Sequence, residues 1–126
     1  MKKNLVLVIV ALFCFGVVAT AKAKKVKLTG YVVDKSCAAK ISKKDNVQEA
    51  AMGHTKKCAL MDGCVKSGYG AFVDVMFYEF DAKGNEMAKA LVAKSSLEKG
   101  IKFAIEGKAD EATPTALMIK KITEAK

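Results

Sequence analysis

Apolar and polar side chains alternate in residues 26–32, which follow the apolar N-terminal run. Val26, Leu28 and Val32 lie on one side of an extended chain, with polar residues between them. This alternation is typical of a strand with one buried face, so it predicts a first strand that ends near Asp34. Gly30 lies in the middle of that strand, where glycine often marks the bend or bulge that a small barrel needs at a corner.

Three later segments have the same strand character. Residues 71–80 are rich in Val, Phe and Tyr and predict two strands joined by a tight turn at Asp74, with one long strand as the alternative. Residues 101–106 alternate cleanly between apolar and polar side chains, and residues 115–122 form the last predicted strand. A predicted loop at residues 110–114 separates these two strands.

The segment between the third and fourth predicted strands has the apolar spacing of a helix. Met87 and Leu91 lie near one face of a helix that is predicted from Glu86 to about Leu97. Residues 81–85, which precede it, predict a turn. Five strands with one helix between the third and the fourth give the order of an OB-type barrel, so we predict a mainly β, OB-like fold with short helices. A generic α+β sheet with the helix on one face is the alternative.

The segment between the first two strands, residues 35–68, lacks a strand pattern and predicts a helical insertion. Asp45 followed by Gln48 forms a capping box, which predicts a short helix that runs to about Met52 and stops at Gly53. The insertion has few apolar residues of its own, so we expect a covalent or metal link to hold it in place.

A second short helix is predicted further along this insertion. Thr55 is a suitable N-cap for a helix that carries Cys58. The sequence Asp-Gly at residues 62–63 is expected to end or kink that helix. Such a kink could return Cys64 to the neighbourhood of Cys58.

The N-terminus has the composition of a secretory signal. Lys2 and Lys3 precede an apolar run over residues 5–18, and residues 19–21, Ala-Thr-Ala, supply the small side chains that signal peptidase requires. The apolar run is too short for a comfortable transmembrane helix. We therefore expect residues 1–21 to be a signal peptide that is removed on export.

The mature protein is then a single domain, residues 22–126, in the periplasm or outside the cell. Cleavage after Ala23 is the second choice, and an uncleaved membrane anchor is the alternative. Cys14 lies inside the apolar run and follows Phe13, whereas a lipoprotein cysteine follows a small residue, so we expect it to leave with the signal. The lysine-rich lead, residues 22–27, is expected to fray.

Charge narrows the set of partners. The chain has 22 lysines and no arginine, and the mature part carries 20 lysines against 13 acidic residues, a formal charge of +7. This balance favours anionic surfaces of the cell envelope. The absence of arginine argues against bidentate reading of phosphate or guanine, and therefore against nucleic acid. The lysines are scattered along the chain, which indicates a solvated surface.

The insertion holds three cysteines and the only histidine of the chain: Cys37, His54, Cys58 and Cys64. Together these four could form a tetrahedral site for zinc or copper, because thiolate and imidazole ligands suit both ions. In an oxidising compartment thiols tend to pair. One disulfide from Cys37 to Cys58 or Cys64, with one spare thiol, is therefore the competing interpretation.

A thiol-redox protein is a third interpretation. Cys58 would lie in the first turn of a helix beside Lys56 and Lys57, which favours the thiolate. The absence of a C-x-x-C pair and of a thioredoxin-like βαβ pattern argues against this interpretation. Covalent haem lacks its C-x-x-C-H motif, and non-covalent haem on His54 stays open.

The pattern D-x-x-C from Asp34, H-x-x-x-C from His54 and C-V-x-x-G from Cys64 resembles the head of a group of small exported bacterial proteins of unknown function. In that group the head precedes an OB-like β tail, and residues 101–107 and 115–122 resemble such a tail. The last two cysteines of the group are usually about one helical turn apart, whereas five residues separate Cys58 from the final cysteine here. The resemblance implies export but no particular chemistry.

We therefore expect a small exported binding or scaffold protein whose Cys/His segment is the functional part. Its partner would be a protein or an anionic surface of the cell envelope. The sequence contains no phosphate loop, G-x-S-x-G elbow or dinucleotide fingerprint, so no motif supports an enzymatic function.

Overall fold

Five strands and five helices make up residues 22–126, the part of the chain that this computed structural model describes. The predicted signal peptide and Cys14 lie outside these residues. None of the helices within 22–126 combines the length and the apolar character that a membrane crossing needs. The strands are Ala23–Asp34 (β1), Tyr69–Val73 (β2), Met76–Phe80 (β3), Lys102–Asp110 (β4) and Thr113–Ala125 (β5). The helices are Lys35–Ile41 (α1), Val47–Met52 (α2), Lys56–Ala59 (α3), Asp62–Ser67 (α4) and Ala82–Lys94 (α5).

The strands close into a barrel in the order β1-β2-β3-β5-β4. Neighbouring strands are antiparallel except for β3 and β5, which are parallel. Helix α5 connects β3 to β4, and helices α1 to α4 lie between β1 and β2. The OB-like barrel with a helical insertion between its first two strands is therefore confirmed.

Strand β1 changes its main pairing partner close to Gly30. Its first part pairs with β4 and its last part with β2, and Tyr31 is paired on both sides. A Cβ atom on Gly30 would lie 2.3 Å from the carbonyl oxygen of Phe72, so a larger residue there would push the strands apart. The structure thus shows a close approach of two strands at this glycine, one of the reasons for which glycine occurs inside strands, and the predicted bend stays a prediction.

Several strands extend beyond their predicted bounds. Ala23 pairs with Asp110, and each of the next residues of β1 also has a partner on β4, so the lysine-rich lead is ordered and the expected fraying is wrong. The predicted loop at 110–114 is reduced to a turn between β4 and β5. Register with a neighbouring strand, which is invisible in local sequence, sets these ends.

The turn between β2 and β3 is confirmed, whereas the turn predicted before the helix is wrong. Asp74 joins the two short strands with a φ of 53°, a conformation that aspartate tolerates better than most residues. Residues 81–85 instead begin α5, because the Asp81 side chain accepts a hydrogen bond from the N–H of Gly84 at 2.9 Å. A Cβ on Gly84 would lie 2.4 Å from Cγ1 of Ile119, so this glycine lets α5 pack closely on β5.

Two hydrophobic clusters lie on opposite sides of the barrel wall. The larger one fills the barrel and packs under α5, with Phe80, Phe103 and Leu117 among its members. The smaller one lies between the outside of the barrel and the insertion. It consists of Val33, Ala38, Ile41, Val47, Ala51 and Phe72.

Candidate metal centre

The insertion folds into four short helices, two more than the sequence predicted. Helix α2 is capped by Asn46 instead of Asp45, since the Asn46 side chain accepts a hydrogen bond from the N–H of Glu49 at 3.1 Å. The Asn46 amide also donates to the Glu49 carboxylate at 3.1 Å, so the capping interaction lies one residue later than predicted. The helix ends at Gly53, as predicted.

Helices α3 and α4 carry one cysteine each. Thr55 caps α3 as predicted, and its hydroxyl accepts a hydrogen bond from the N–H of Cys58 at 3.1 Å. Met61 is extended and α4 begins at the next residue, so the Asp-Gly pair at 62–63 starts a helix instead of ending one. This break between the two helices brings Cys64 back to Cys58.

Four donor atoms converge where the insertion meets the end of β1. A carboxylate oxygen of Asp34 and the Sγ atoms of Cys37, Cys58 and Cys64 all lie within 4.8 Å of one another. The three cysteines are free thiols in the described chain, and Sγ of Cys37 is 3.6 Å from Sγ of Cys58. The structure therefore brings the three predicted cysteines together and adds Asp34 as the fourth member.

Asp34 is a fully buried carboxylate. Its Oδ2 accepts hydrogen bonds from the Ser36 hydroxyl at 2.5 Å and from the N–H of Cys37 at 2.9 Å. Burial alone raises the pKa of this carboxyl, but these two hydrogen bonds and the neighbouring His54 outweigh it and hold the pKa well below its usual range. The site therefore contains a buried negative charge at neutral pH.

His54 lies beside Asp34 and is not among the four converging donors. Its Nε2 is 2.9 Å from Oδ1 of Asp34, and only 6% of its side chain is exposed. This contact does not satisfy hydrogen-bond geometry, and neither atom has another partner within residues 22–126. Direct coordination by His54 stays a prediction, whereas its position next to the carboxylate is observed.

The backbone at His54 is held by the loop that follows α5. The carbonyl of His54 accepts a hydrogen bond from the N–H of Gly100 at 3.2 Å, and the N–H of Lys56 donates to the backbone carbonyl of Glu98 at 2.8 Å. Gly100 has a φ of 66°, a left-handed conformation that favours glycine. The barrel loop therefore fixes the segment between α2 and α3.

Burial and negative charge act together on the thiols. Burial raises the pKa of Cys37 to about 12, assisted by its contact with Cys58 and by the charge of Asp34. Burial also raises the pKa of Cys64, although a hydrogen bond from Ser36 opposes the change. These thiols hold their protons at neutral pH unless a cation compensates the negative charge of the site.

A shallow depression gives solvent access to this cluster. It has a volume of about 310 Å³, and its lining includes Cys37, His54 and Cys58. An ion could reach two of the three sulfur atoms from this side without opening the barrel. The donor atoms therefore converge on one point and can be reached from solvent, which are the two requirements for binding a metal ion.

Asp34 is the site residue that the sequence prediction left out. Its signal was the D-x-x-C spacing, because an aspartate at the N-cap accepts a hydrogen bond from the N–H three residues later and so lies against the first helical turn.

No protein-family model matches the chain, and neither a curated protein nor a solved structure matches it. The case for a function therefore rests on the chemistry of this cluster.

Proposed function

We propose that the protein is a small exported metal-binding protein that holds one zinc ion on Asp34, Cys37, Cys58 and Cys64. The observation that carries the proposal is the convergence of four donor atoms within 4.8 Å around a fully buried carboxylate. Zinc sites with four protein ligands are tetrahedral, and a Zn–S distance of about 2.3 Å separates neighbouring sulfur ligands by about 3.8 Å. The 3.6 Å between Cys37 and Cys58 is close to that value.

The mixed donor set favours zinc over copper. Cu(I) prefers thiolate and thioether ligands, whereas zinc accepts sulfur and oxygen donors in one site. The buried Asp34 carboxylate is a hard donor that adds little for Cu(I) but compensates the charge of Zn²⁺. Copper in the purified protein would therefore contradict the assignment of zinc, but it would still support a metal site on these four residues.

The proposed ion has a structural role. Four protein donors leave no open position for substrate, and closed sites of this kind stabilise folds instead of catalysing reactions. The donors come from β1, α1, α3 and α4, so one ion would link the barrel to three helices of the insertion. The resulting unit is a binding or scaffold protein whose insertion is rigid only when the metal is bound.

A disulfide-stapled domain is the alternative that the sequence left open. A disulfide requires a sulfur–sulfur distance of about 2.05 Å, whereas Cys37 and Cys58 are 3.6 Å apart. The two functions differ in the number of free thiols, which is three for the metal site and one for the disulfide.

The test is a thiol count and a metal assay on protein purified from the periplasm without a metal-affinity tag. We expect three thiols after denaturation with chelator and about one zinc per chain. Asp34→Asn should lower zinc affinity by at least about tenfold, since it removes a ligand charge. Asp62→Asn, a carboxylate near Cys64 outside the donor set, is the matched control and should retain zinc. One thiol and no metal would overturn the proposal.

The proposal also places the protein in the periplasm or outside the cell. The support is the leader, residues 1–21, with its basic start, apolar run and Ala-Thr-Ala end. The intact mass of the exported protein should lack the first 21 or 23 residues. A full-length or lipidated mass would contradict this placement without bearing on the metal site.

A further inference from the structure

The barrel carries a groove at the end opposite to the cysteine cluster. It is lined by residues of β1, β4 and β5 and of the start of α5, and it has a volume of about 510 Å³. Lys25 and Lys27 line it from the start of β1, whereas Asp34 of the metal centre is the last residue of the same strand. The groove is therefore separate from the proposed zinc site.

Folding gathers positive charge around this groove that is scattered in the sequence. Its lining contains five lysines and one acidic residue: Lys25, Lys27, Lys83, Lys108, Lys120 and Glu106. Within residues 22–126, Lys27 is the one lysine of the five that forms an ion pair, with Glu106 at 3.7 Å. Four positive charges thus face one concave surface without a carboxylate partner in the described chain.

Three of these lysines occupy positions that the fold itself disfavours. Lys25 and Lys108 are direct cross-strand partners on β1 and β4, and like charges directly opposite each other destabilise a sheet. Lys83 lies in the first turn of α5, where the helix dipole opposes a positive charge. A bound anion would remove both penalties, so these positions point to a ligand.

The floor of the groove is apolar. Val26 is partly buried, Ile119 is buried, and Met118 is 49% exposed. The floor dips at Gly107, where a Cβ would lie 2.3 Å from the Met118 carbonyl oxygen. A ligand that matches this surface combines an anionic group with an apolar part.

We infer that the groove binds an amphiphilic anion, a carboxylate or phosphate with a hydrocarbon portion. The lysine rim would hold the anionic group, and the apolar floor would cover part of the chain. A volume of about 510 Å³ lies within the range of about 300–1,000 Å³ that is typical of small-molecule sites. This inference does not depend on the proposed zinc site.

Three probes test the charge and the hydrocarbon chain separately. Decanoate has both a carboxylate and a hydrocarbon chain, acetate has the carboxylate alone, and decyl glucoside has the chain without a charge. Binding of each is measured from the NMR chemical shifts of the backbone amides. We expect saturable binding of decanoate with a Kd below about 1 mM, centred on Val26, Gly107 and Ile119. Acetate or decyl glucoside binding as tightly as decanoate would overturn the amphiphile assignment, and so would shifts centred elsewhere.

Matched variants test the lysines. The triple variant Lys83→Gln, Lys108→Gln and Lys120→Gln should weaken decanoate binding at least tenfold. Its control removes three exposed lysines outside the groove, Lys43→Gln, Lys44→Gln and Lys94→Gln, and should change the Kd less than twofold. Equal loss in both triple variants would show a non-specific charge effect and overturn the site.

A charge reversal gives an independent check. Lys108→Glu replaces the repulsion with Lys25 by an attraction, so the Tm should rise by about 2–5 °C while decanoate binding weakens. A variant that is more stable and binds decanoate as tightly as the unchanged protein would contradict the inference.

Discussion

The barrel and the insertion are stabilised by different physical means. The barrel encloses large side chains such as Phe80 and Phe103, and every strand has two paired neighbours. The hydrophobic cluster under the insertion has six members, two of them alanines. The helices of the insertion contain only four to seven residues each. Helices of this length are not stable alone in water, so the insertion depends on its caps, on the barrel surface and on the proposed ion.

This difference in stability explains why the candidate metal site lies in the insertion and not in the barrel. A rigid closed barrel can hold Asp34 at a strand end and fix the backbone at His54 through the loop after α5. The short helices can then adjust around an ion without disturbing the core, because regions with few buried contacts open at low free energy. If the two regions are separate in this way, changes in one should be felt weakly in the other.

The largest expected effect comes from the barrel core. Phe103→Ala removes a fully buried ring and should lower the free energy of unfolding by about 3–5 kcal/mol, measured by denaturant unfolding. Ile41→Ala, in the cluster under the insertion, should instead increase hydrogen exchange in residues 35–67 and leave the barrel amides nearly unchanged. Equal global destabilisation by both variants would show that the regions unfold as one unit.

Removal of the metal should separate the regions most directly. A chelator should reduce hydrogen-exchange protection in residues 35–67 by at least about 100-fold, because metal binding supplies folding free energy. Cys58→Ser should show the same loss without chelator, and added chelator should then have no further effect. Protection in β4 and β5 serves as the internal control. An insertion that keeps its protection in both cases would contradict the stapling role of the ion.

His54→Gln distinguishes a ligand from a residue that supports a ligand. If His54 orients Asp34, as their 2.9 Å contact indicates, zinc affinity should fall about 10–100-fold while one zinc per chain still binds at saturation. If His54 is itself a ligand, as the sequence predicted, the stoichiometry should also change. A competition titration with a chromophoric chelator measures both the affinity and the stoichiometry.

Tyr69 connects the two regions, so its removal should have a moderate effect. It lies on β2 with 1% exposure, and its hydroxyl donates to the carbonyl of Ala59 on α3 at 2.6 Å. Tyr69→Phe leaves that carbonyl unsatisfied and should cost about 1–2 kcal/mol in the free energy of unfolding. Hydrogen exchange should rise first in α3. Unchanged exchange at α3 would show that this bond does not couple the insertion to the barrel.

The same tyrosine should give the protein an alkaline pH dependence. Burial, with the charges of Asp34 and Cys64, raises the pKa of Tyr69 to about 12 from the usual value near 10. The folded state therefore favours the neutral phenol, so its stability is retained below about pH 10 and falls as the pH rises towards 12. Tyr69→Phe should lack this part of the alkaline loss when unfolding is followed at several pH values. An identical pH profile in both proteins would contradict the assignment.

Much of the barrel could be predicted from the sequence. Alternation at Val26, Leu28 and Val32 is a local signal of a strand with one buried face, and Gly30 lies where that strand approaches β2 closely. The element ends could not be predicted equally well. They depend on partners far along the chain, as when Ala23 pairs with Asp110. Gly84 suggested a turn but lies inside α5, because a contact with Ile119 requires the missing side chain.

The amino-acid sequence by itself determined the order of strands and helices along the chain, the position of the insertion and the three cysteines of the candidate site, because all of these follow from residue type and local spacing. Only the tertiary structure decided that Asp34 joins the cysteines, that His54 lies against Asp34, and that scattered lysines surround one groove. The physical reason is that donors and charges act over a few ångströms in space. Strand register and helix packing, which set those distances, depend on the whole chain at once.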